Sequence, residues 1–567
     1  MTEPVSSPSW SRDLLLLTLV LGALFGFRLG SHPLANPDEG RYAEIPREML
    51  AAGEFVTPRL DGVPYFEKPP LMYWAVAACL KAFGPNEWAL RAAPVLYALG
   101  GVLLTYAAGR RLYGRAAGLF AAGMLGSSLL YFALTRILIL DMAVSVLMSA
   151  TLFCFILGVR EPAPATGSGQ AGSRRRWLFY GLYASAALAT LTKGLIGFLV
   201  TGAVMFLWLL VFNQWKRLRP FYLPTGALLF LAIAAPWHIL AAERNPGWAR
   251  FYFLYEHWER FLSPTHNRYE PWWFFLPIVL LGLFPWVGFL WPALRTALAG
   301  GWARRKENAD AWFLVTWAVF IFLFFSKSQS KLIPYILPVF PPLAVLMGAW
   351  LARAGANGAT AGVRTGIRVF TFTCGLLAAA LCVAVLKPGV IREPAQAALL
   401  RPYAFSLAAV LLLGGVATLW AAKVRGLRAG LAVLASTSLG FYLILILAAP
   451  YIQRPGTKEL ALQTAALIRP GDRVYHYHGF FHDFTFYAGR TVGTVAHADE
   501  LELQFLDPAE RAARFIDEAG FRRQWAGPGR LFVVARKRDV RELFADPAFR
   551  YHLLGENRDH YLFSNQP

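Results

Sequence analysis

The residues able to do chemistry gather in one stretch, 34–74: LANPDEGRYAEIPREMLAAGEFVTPRLDGVPYFEKPPLMYW. Asp38, Glu39, Arg41, Glu44, Arg47, Glu48, Glu54, Arg59, Asp61, Glu67 and Lys68 stand there beside Tyr42, Tyr65, Phe66 and Tyr73. A connector between two apolar segments needs only a few turn residues. Carboxylates, guanidiniums and aromatic rings in this density make a polar site instead. The chemistry they suit is the movement of a group off a phosphate. Cations stabilise charge developing on the leaving phosphate, and a carboxylate orients the acceptor.

Within the stretch, Asp38 follows Asn36-Pro37 and precedes EGRYAEIPREML, which has helical periodicity. It is expected at a helix start, where backbone N–H groups and the helix dipole also lie. It could serve there as an N-cap only, but Glu39, Arg41 and Tyr42 in the same turn favour a site. Lys68-Pro69-Pro70 ends the stretch by blocking helix at the preceding residues.

Other segments add to this set. Asp141 lies in LTRILILDMAVSV, an apolar run, five residues after Arg136. An ionisable group there is costly and marks a functional position, unless it forms an internal ion pair with Arg136. Lys193, in LTKGLIG, is a cation between two apolar runs, suited to a phosphate or to snorkelling at an interface. FYFLYEHWERFLSPTHNRYEPWW carries His257 and Arg260, with Glu256 and Glu259 beside the histidine. His257 is either structural or part of a divalent metal site, for which imidazole and carboxylate suit zinc. SKSQSKLIPYILP places Lys327, Lys331 and Tyr335 at the mouth of an apolar run, as a binding edge or as interfacial anchors.

The elements that must position these residues are apolar helices. Of 567 residues, 56% are hydrophobic and only 16% charged. Soluble domains carry about a quarter charged residues. Apolar runs near 13–30, 88–108, 116–134, 139–159, 177–192, 194–212, 221–241, 272–294, 310–325, 332–352, 366–387, 401–422 and 429–450 predict about thirteen spans. The first is expected as a retained helix without a cleavage site. With the N-terminus cytoplasmic, the inner loops 109–115, 160–176, 213–219, 295–308 and 423–428, and the one holding Arg353, Arg364 and Arg368, each contain at least three Lys or Arg. That bias places the 31–87 and 242–271 loops, the 326–331 turn and the C-terminus on the outer face. Acids and cations from separate segments then converge on the outer leaflet.

The same bias explains the net charge of +21 without nucleic acid, and is compatible with anionic lipid as a partner. The four cysteines have no paired spacing and suggest neither a disulfide framework nor a CxxC metal site. After residue 452 the composition changes. GDRVYHYH and RLFVVARK are strand-like, whereas DPAERAARFIDEAGFRRQWA and VRELFAD are helix-like. The fold class expected is a polytopic α-helical membrane protein over 1–452, with an outer-face α/β domain over 453–567.

On these residues the chain resembles the aminoarabinose transferases that modify lipid A. They are bacterial members of the protein O-mannosyltransferase-like, GT-C class of membrane glycosyltransferases. The resemblance is carried by NPDEGRYAEIPREML and YFEKPPLMYW, with the Leu140-Asp141 pair, TKG, EHWERF and SKLIPYILP further on. It implies a donor of aminoarabinose on undecaprenyl phosphate, lipid A as acceptor, a divalent metal, and a monomer in the bacterial inner membrane with its site facing the periplasm. It also implies roles. Asp38, Asp141 and Glu67 would be the catalytic acids. Arg41, Tyr42, Tyr65, Lys68 and Arg260 would surround the lipid phosphate, with Lys193, Lys331 and Tyr335 as further binding residues. Glu67 and His257 would be the metal ligands. The first-loop motif is shared by relatives that use other prenyl-phosphate sugars.

A transporter of lipid-linked sugars is the competing class. It would place ionisable groups near the midplane, with related halves and broken helices. This sequence places them at one face and has no evident repeat. A non-catalytic lipid-binding scaffold would need no convergence of acids.

Overall fold

The computed structural model describes residues 9–162, 169–259, 270–356, 360–391, 393–453, 456–497 and 501–567. They form two compact units. One comprises Met1–Arg28, Pro94–Ile239 and Arg250–Ile452, and the other Leu29–Ala93, Leu240–Ala249 and Gln453–Pro567. The first-loop residues thus belong to the same unit as the C-terminal segment, a division that a boundary at 452 does not anticipate.

The first unit is helical, because apolar runs with no water to bind can satisfy their backbone groups only internally. Each of the thirteen expected spans coincides with a helical segment. Eight helices are long and apolar enough to cross a membrane, and ten if two bent pairs each count as one span, among the described residues. Asp13, nearly without exposed surface, ties the Ser9–Gly26 helix down through Arg110, Arg115 and the Tyr106 hydroxyl.

The two bent pairs correct the expectation of straight spans over 116–134 and 272–294. Arg115–Gly126 and Leu129–Thr135 meet at 63°, and Phe275–Gly282 and Val287–Ala297 at 101°. At the first break, Ser127 and Ser128 turn their hydroxyls back onto the carbonyls of Gly123 and Met124. At the second, Pro285 supplies no N–H. The breaks satisfy each other. Leu129 N donates to the Phe284 carbonyl at 2.9 Å, the Trp286 indole to Ser127 Oγ at 2.9 Å, and the Tyr442 hydroxyl to the Ser127 carbonyl at 2.6 Å.

The other unit contains a six-stranded sheet in the order β5-β4-β3-β6-β8-β7, with β3 Arg473–Tyr477, β4 Gly493–Val495, β5 Phe515–Ile516, β6 Leu531–Arg536, β7 His552–Glu556 and β8 His560–Ser564. β3 pairs in parallel with β4 and β6, and β8 antiparallel with β6. Tyr475, Val533, Phe521, Trp525 and Phe563 form its core. The expected helix-like stretch DPAERAARFIDEAGFRRQWA is instead two helices, Pro508–Arg514 and Glu518–Trp525, separated by β5. Each has its own cap: Asp507 accepts from Ala509 N and Glu510 N, and Asp517 from Gly520 N.

The first-loop residues of this unit are folded too. A helix runs over Asp38–Ala52 and a second over Leu71–Phe83, too short to span. Between them β1 (Arg59–Leu60) and β2 (Val63–Pro64) form a hairpin. Asp61 (φ 55°) and Gly62 (φ 75°) make its turn, where two positive φ values match the twist of the flanking strands. Glu48 accepts from Gly62 N at 2.9 Å, and buried Asp61 accepts from Val492 N and pairs with Arg514 at 2.8 Å. Burial first, then the carboxylates of Glu44 and Asp61, pushes Glu48 up to about 8. The folded protein therefore holds a proton that the unfolded chain, with a carboxyl near ~4.3, has lost. That stability is complete below the unfolded value and is lost as pH rises through the folded one. Glu48→Gln stays uncharged and still accepts from Gly62. It should flatten the decline of thermal stability between about pH 5 and 8; a curve parallel to wild type would remove Glu48 as the source.

Candidate functional site

In the mixed unit, Asp38 is the first residue of its helix, as its spacing predicts. The capping position belongs to Pro37, so an N-cap role is excluded. The Asp38 side chain is 58% exposed and lies 3.5 Å from Arg41 Nη1, whereas Arg41 itself is nearly buried. The next acid, Glu39, points inward. It accepts from Ala35 N and forms a two-point pair with Arg91, Nε to Oε1 at 2.8 Å and Nη2 to Oε2 at 2.7 Å. One turn of helix therefore exposes one acid and uses the next as its anchor.

Arg41 lies over the Tyr42 ring at 5.9 Å, and Tyr42 meets Tyr73 at 6.1 Å between centroids. The hairpin brings in Tyr65, whose N donates to the Pro58 carbonyl. Tyr65 and Tyr73 are buried, and among the described residues neither hydroxyl has a hydrogen-bond partner. Burial, then the charge of Glu67, raises the Tyr65 phenol well above its ordinary range, so it is a neutral donor. Lys68 Nζ lies 3.6 Å from Glu67 Oε2 and donates to the Glu67 carbonyl at 2.8 Å. Arg41, Tyr42, Tyr65, Glu67 and Lys68 are thus brought together as expected. Tyr73, absent from the expected site residues, joins them. Its place three residues after Pro70, at the start of a helix, was the available signal.

The helical unit holds a second group. Asp141 begins the Asp141–Arg160 helix and Lys193 ends the Gly169–Lys193 helix, so both charges sit at favourable dipole ends. They pair at 2.5 Å, and Lys193 Nζ lies 4.5 Å from the Tyr335 ring centre. Lys193 is therefore neither a snorkelling cation nor a lone phosphate ligand. Arg136 Nη1 donates to the Phe25 carbonyl at 2.7 Å. Lys331, expected at an exposed mouth, is buried and donates to the Glu270 carbonyl at 2.7 Å. Burial pulls its ammonium below the ordinary lysine range, against the opposing charge of Glu270. His257 lies in a π-helical segment, Phe251–Glu259, a form frequent at functional sites. Its ring contacts, and Arg260 altogether, lie outside the described residues.

No group of three His, Cys, Asp or Glu side chains suited to a metal ion occurs among the described residues. Glu67 alone of the expected ligands has a described side chain, and it faces Lys68.

A family model for dolichyl-phosphate-mannose-protein mannosyltransferases matches residues 11–247. That match spans less than half of the chain. The undecaprenyl phosphate-alpha-4-amino-4-deoxy-L-arabinose arabinosyl transferase of Erwinia tasmaniensis is 32% identical over 73% of this chain and 71% of its own length. The one from Edwardsiella ictaluri is 35% identical over 57% of each chain. The crystal structure of ArnT from Cupriavidus metallidurans bound to undecaprenyl phosphate superposes with a TM-score of 0.86 at 28% identity. It covers 99% of this chain and 98% of that one. The chain belongs to the family of these arabinosyl transferases.

The orphan tyrosine hydroxyls generate a test. A buried hydroxyl without a partner costs about 1–3 kcal/mol. Tyr65→Phe should raise the thermal stability of the ligand-free protein in detergent. A variant that loses stability would show that the hydroxyl serves the fold.

Proposed function

We propose that the protein transfers 4-amino-4-deoxy-L-arabinose from undecaprenyl phosphate to a phosphate of lipid A. It does so as a monomer at the periplasmic face of the inner membrane. The observation that carries this is the Asp38–Arg41 turn beside Tyr42, Tyr65, Glu67, Lys68 and Tyr73, in a chain of the arabinosyl transferase family.

In this reaction an oxygen of the acceptor phosphate attacks the anomeric carbon, and the bond from that carbon to the donor phosphate breaks. The undecaprenyl phosphate leaves with the bonding pair. A phosphate monoester has already lost most of its second proton at neutral pH, its pKa being ≈ 6, so the nucleophile needs little help from a base. Asp38 therefore has no proton to take from that phosphate and orients the acceptor by accepting from a hydroxyl of its sugar, which Asn would do poorly because it presents an N–H₂ where an oxygen is needed. Arg41 grips the departing phosphate through its planar fork, and Lys68 adds a point charge. Tyr65 and Tyr73 donate to the same oxygens from a buried position, where a hydrogen bond gains strength from the low dielectric. Asp141 holds Lys193 in place as a charged pair of the helical unit. A divalent ion is a further requirement, tested by transfer assays after EDTA dialysis and after return of Zn²⁺, Mn²⁺ or Mg²⁺.

The test uses protein in liposomes with purified undecaprenyl-phosphate aminoarabinose and lipid A, read by mass spectrometry for an added aminopentose. A donor that crosses the bilayer without forming that product would identify a transporter, and a different accepted sugar would correct the substrate. Lys68→Ala should lower kcat/KM at least about tenfold, one decade per ~1.4 kcal/mol. Arg41→Lys should be comparably harmful, because an ammonium cannot reproduce the fork. Losses below a few-fold that disappear at raised salt would mean these cations only answer lipid headgroups, at ~1 kcal/mol each.

A further inference from the structure

We propose that Asp483, at the start of the His482–Ala488 helix, is a positioning residue for the Asp38–Arg41 turn. The C-terminal sheet domain would then act as the frame that aims the turn. The inference rests on the role proposed above for Asp38 and Arg41.

Asp483 has no exposed surface, yet both carboxylate oxygens are used. Oδ2 accepts from Thr457 N at 2.6 Å, and Oδ1 accepts from Thr457 Oγ1 at 2.8 Å and from Asn36 Nδ2. Its own N–H donates to Asn36 Oδ1 at 3.0 Å. Asn36 and Asp483 therefore clasp each other at two points, two residues before Asp38. A buried carboxyl group is costly unless its oxygens find donors. With three donors converging on them, these oxygens have no slack to give the Asn36 amide.

Two further contacts fix the approach. A Cβ on Gly40 would lie 2.5 Å from Asp483 N and 2.6 Å from the His482 carbonyl carbon. Only glycine lets the Asp38 helix come this close to the backbone around Asp483. One turn further on, the Tyr487 hydroxyl accepts from Leu34 N at 2.9 Å and donates to Glu87, which Lys458 neutralises. In parallel sheets ligands ordinarily sit beyond the carboxyl ends of the strands. Here the chain after β3 leads into the helix that grips residues 34–40.

The Asp483 carboxyl is buried and committed to Thr457 and Asn36. Its effect on turnover then passes through Asp38 and Arg41, which a double-mutant cycle can read. Asn36→Ala removes the clasp from its exposed side and spares the sheet; Asp483→Ala removes it from the buried side. In full-length protein in nanodiscs, each should speed hydrogen exchange of the 34–41 amides about tenfold while β3 and β6 keep their protection. Each should lower kcat/KM at least about tenfold, a loss of the size that small misplacements produce. Added to Asp38→Asn, each should cost several-fold less than it does alone, because the turn has lost its acid and only Arg41 is left to aim.

Unchanged exchange at 34–41 would overturn the proposal. So would a loss of activity that multiplies with that of Asp38→Asn, which marks a merely structural group. If Asp38→Asn alone turns over normally, the role of Asp38 falls, and exchange at 34–41 still decides whether Asp483 anchors the turn.

Discussion

Arg91 has no exposed surface, and every one of its five N–H bonds is taken. Two go to Glu39, two to the carbonyls of Leu29 and His32, and one to that of Pro33. The rest of the polar machinery depends on this pair. The segment 29–36 leaves an apolar helix with free carbonyls, which need donors where the chain is out of water. One guanidinium satisfies three of them and, through Glu39, starts the next helix in the same place. Removing one partner of such a pair costs about 3–5 kcal/mol, because the other is left charged and buried. Asp38 precedes Glu39 by one residue. Its exposed position is a consequence of where Glu39 is held.

Around that pair the mixed unit repeats one device: a buried acid that accepts from backbone N–H groups of a segment remote in sequence. Glu48 does this for Gly62, Asp61 for Val492, and Asp483 for Thr457. An acid satisfied this way is rigid, since both oxygens are committed. Rigidity suits a site that has to hold phosphate oxygens without rearranging during the reaction. The helical unit follows a different principle. Asp141 and Lys193 sit at the ends of two helices whose dipoles favour their charges, and the pair needs no backbone clasp.

Much of this was legible in the residues. The density of charge and aromatics over 34–74 picked out the segment, and Asn36-Pro37 placed Asp38 at a helix start. The apolar runs located the helices because length and composition leave a membrane segment no alternative fold. The breaks at 127–128 and 283–286 were not legible, since a Ser-Ser step or a single proline is tolerated in a straight helix when neighbours re-satisfy the backbone. The partner of Asp141 was not legible for a similar reason. Arg136, the alternative partner near in sequence, reaches Phe25 with its guanidinium, whereas Lys193 arrives from 52 residues away. The roles of Glu39, Arg91 and Asp483 depend on contacts 52 and 447 residues long, which no local pattern reveals.

The central claim is that the Asp38 turn and the residues after the hairpin hold the phosphate of a polyprenyl donor. A cryo-EM structure of the protein in nanodiscs with undecaprenyl phosphate tests it most directly. The phosphate oxygens are expected about 2.7–3.0 Å from the Arg41 guanidinium and from Lys68 Nζ, with the Tyr65 hydroxyl turned toward them. A phosphate bound elsewhere, with Arg41 still paired to Asp38 and Lys68 still at Glu67, would contradict it.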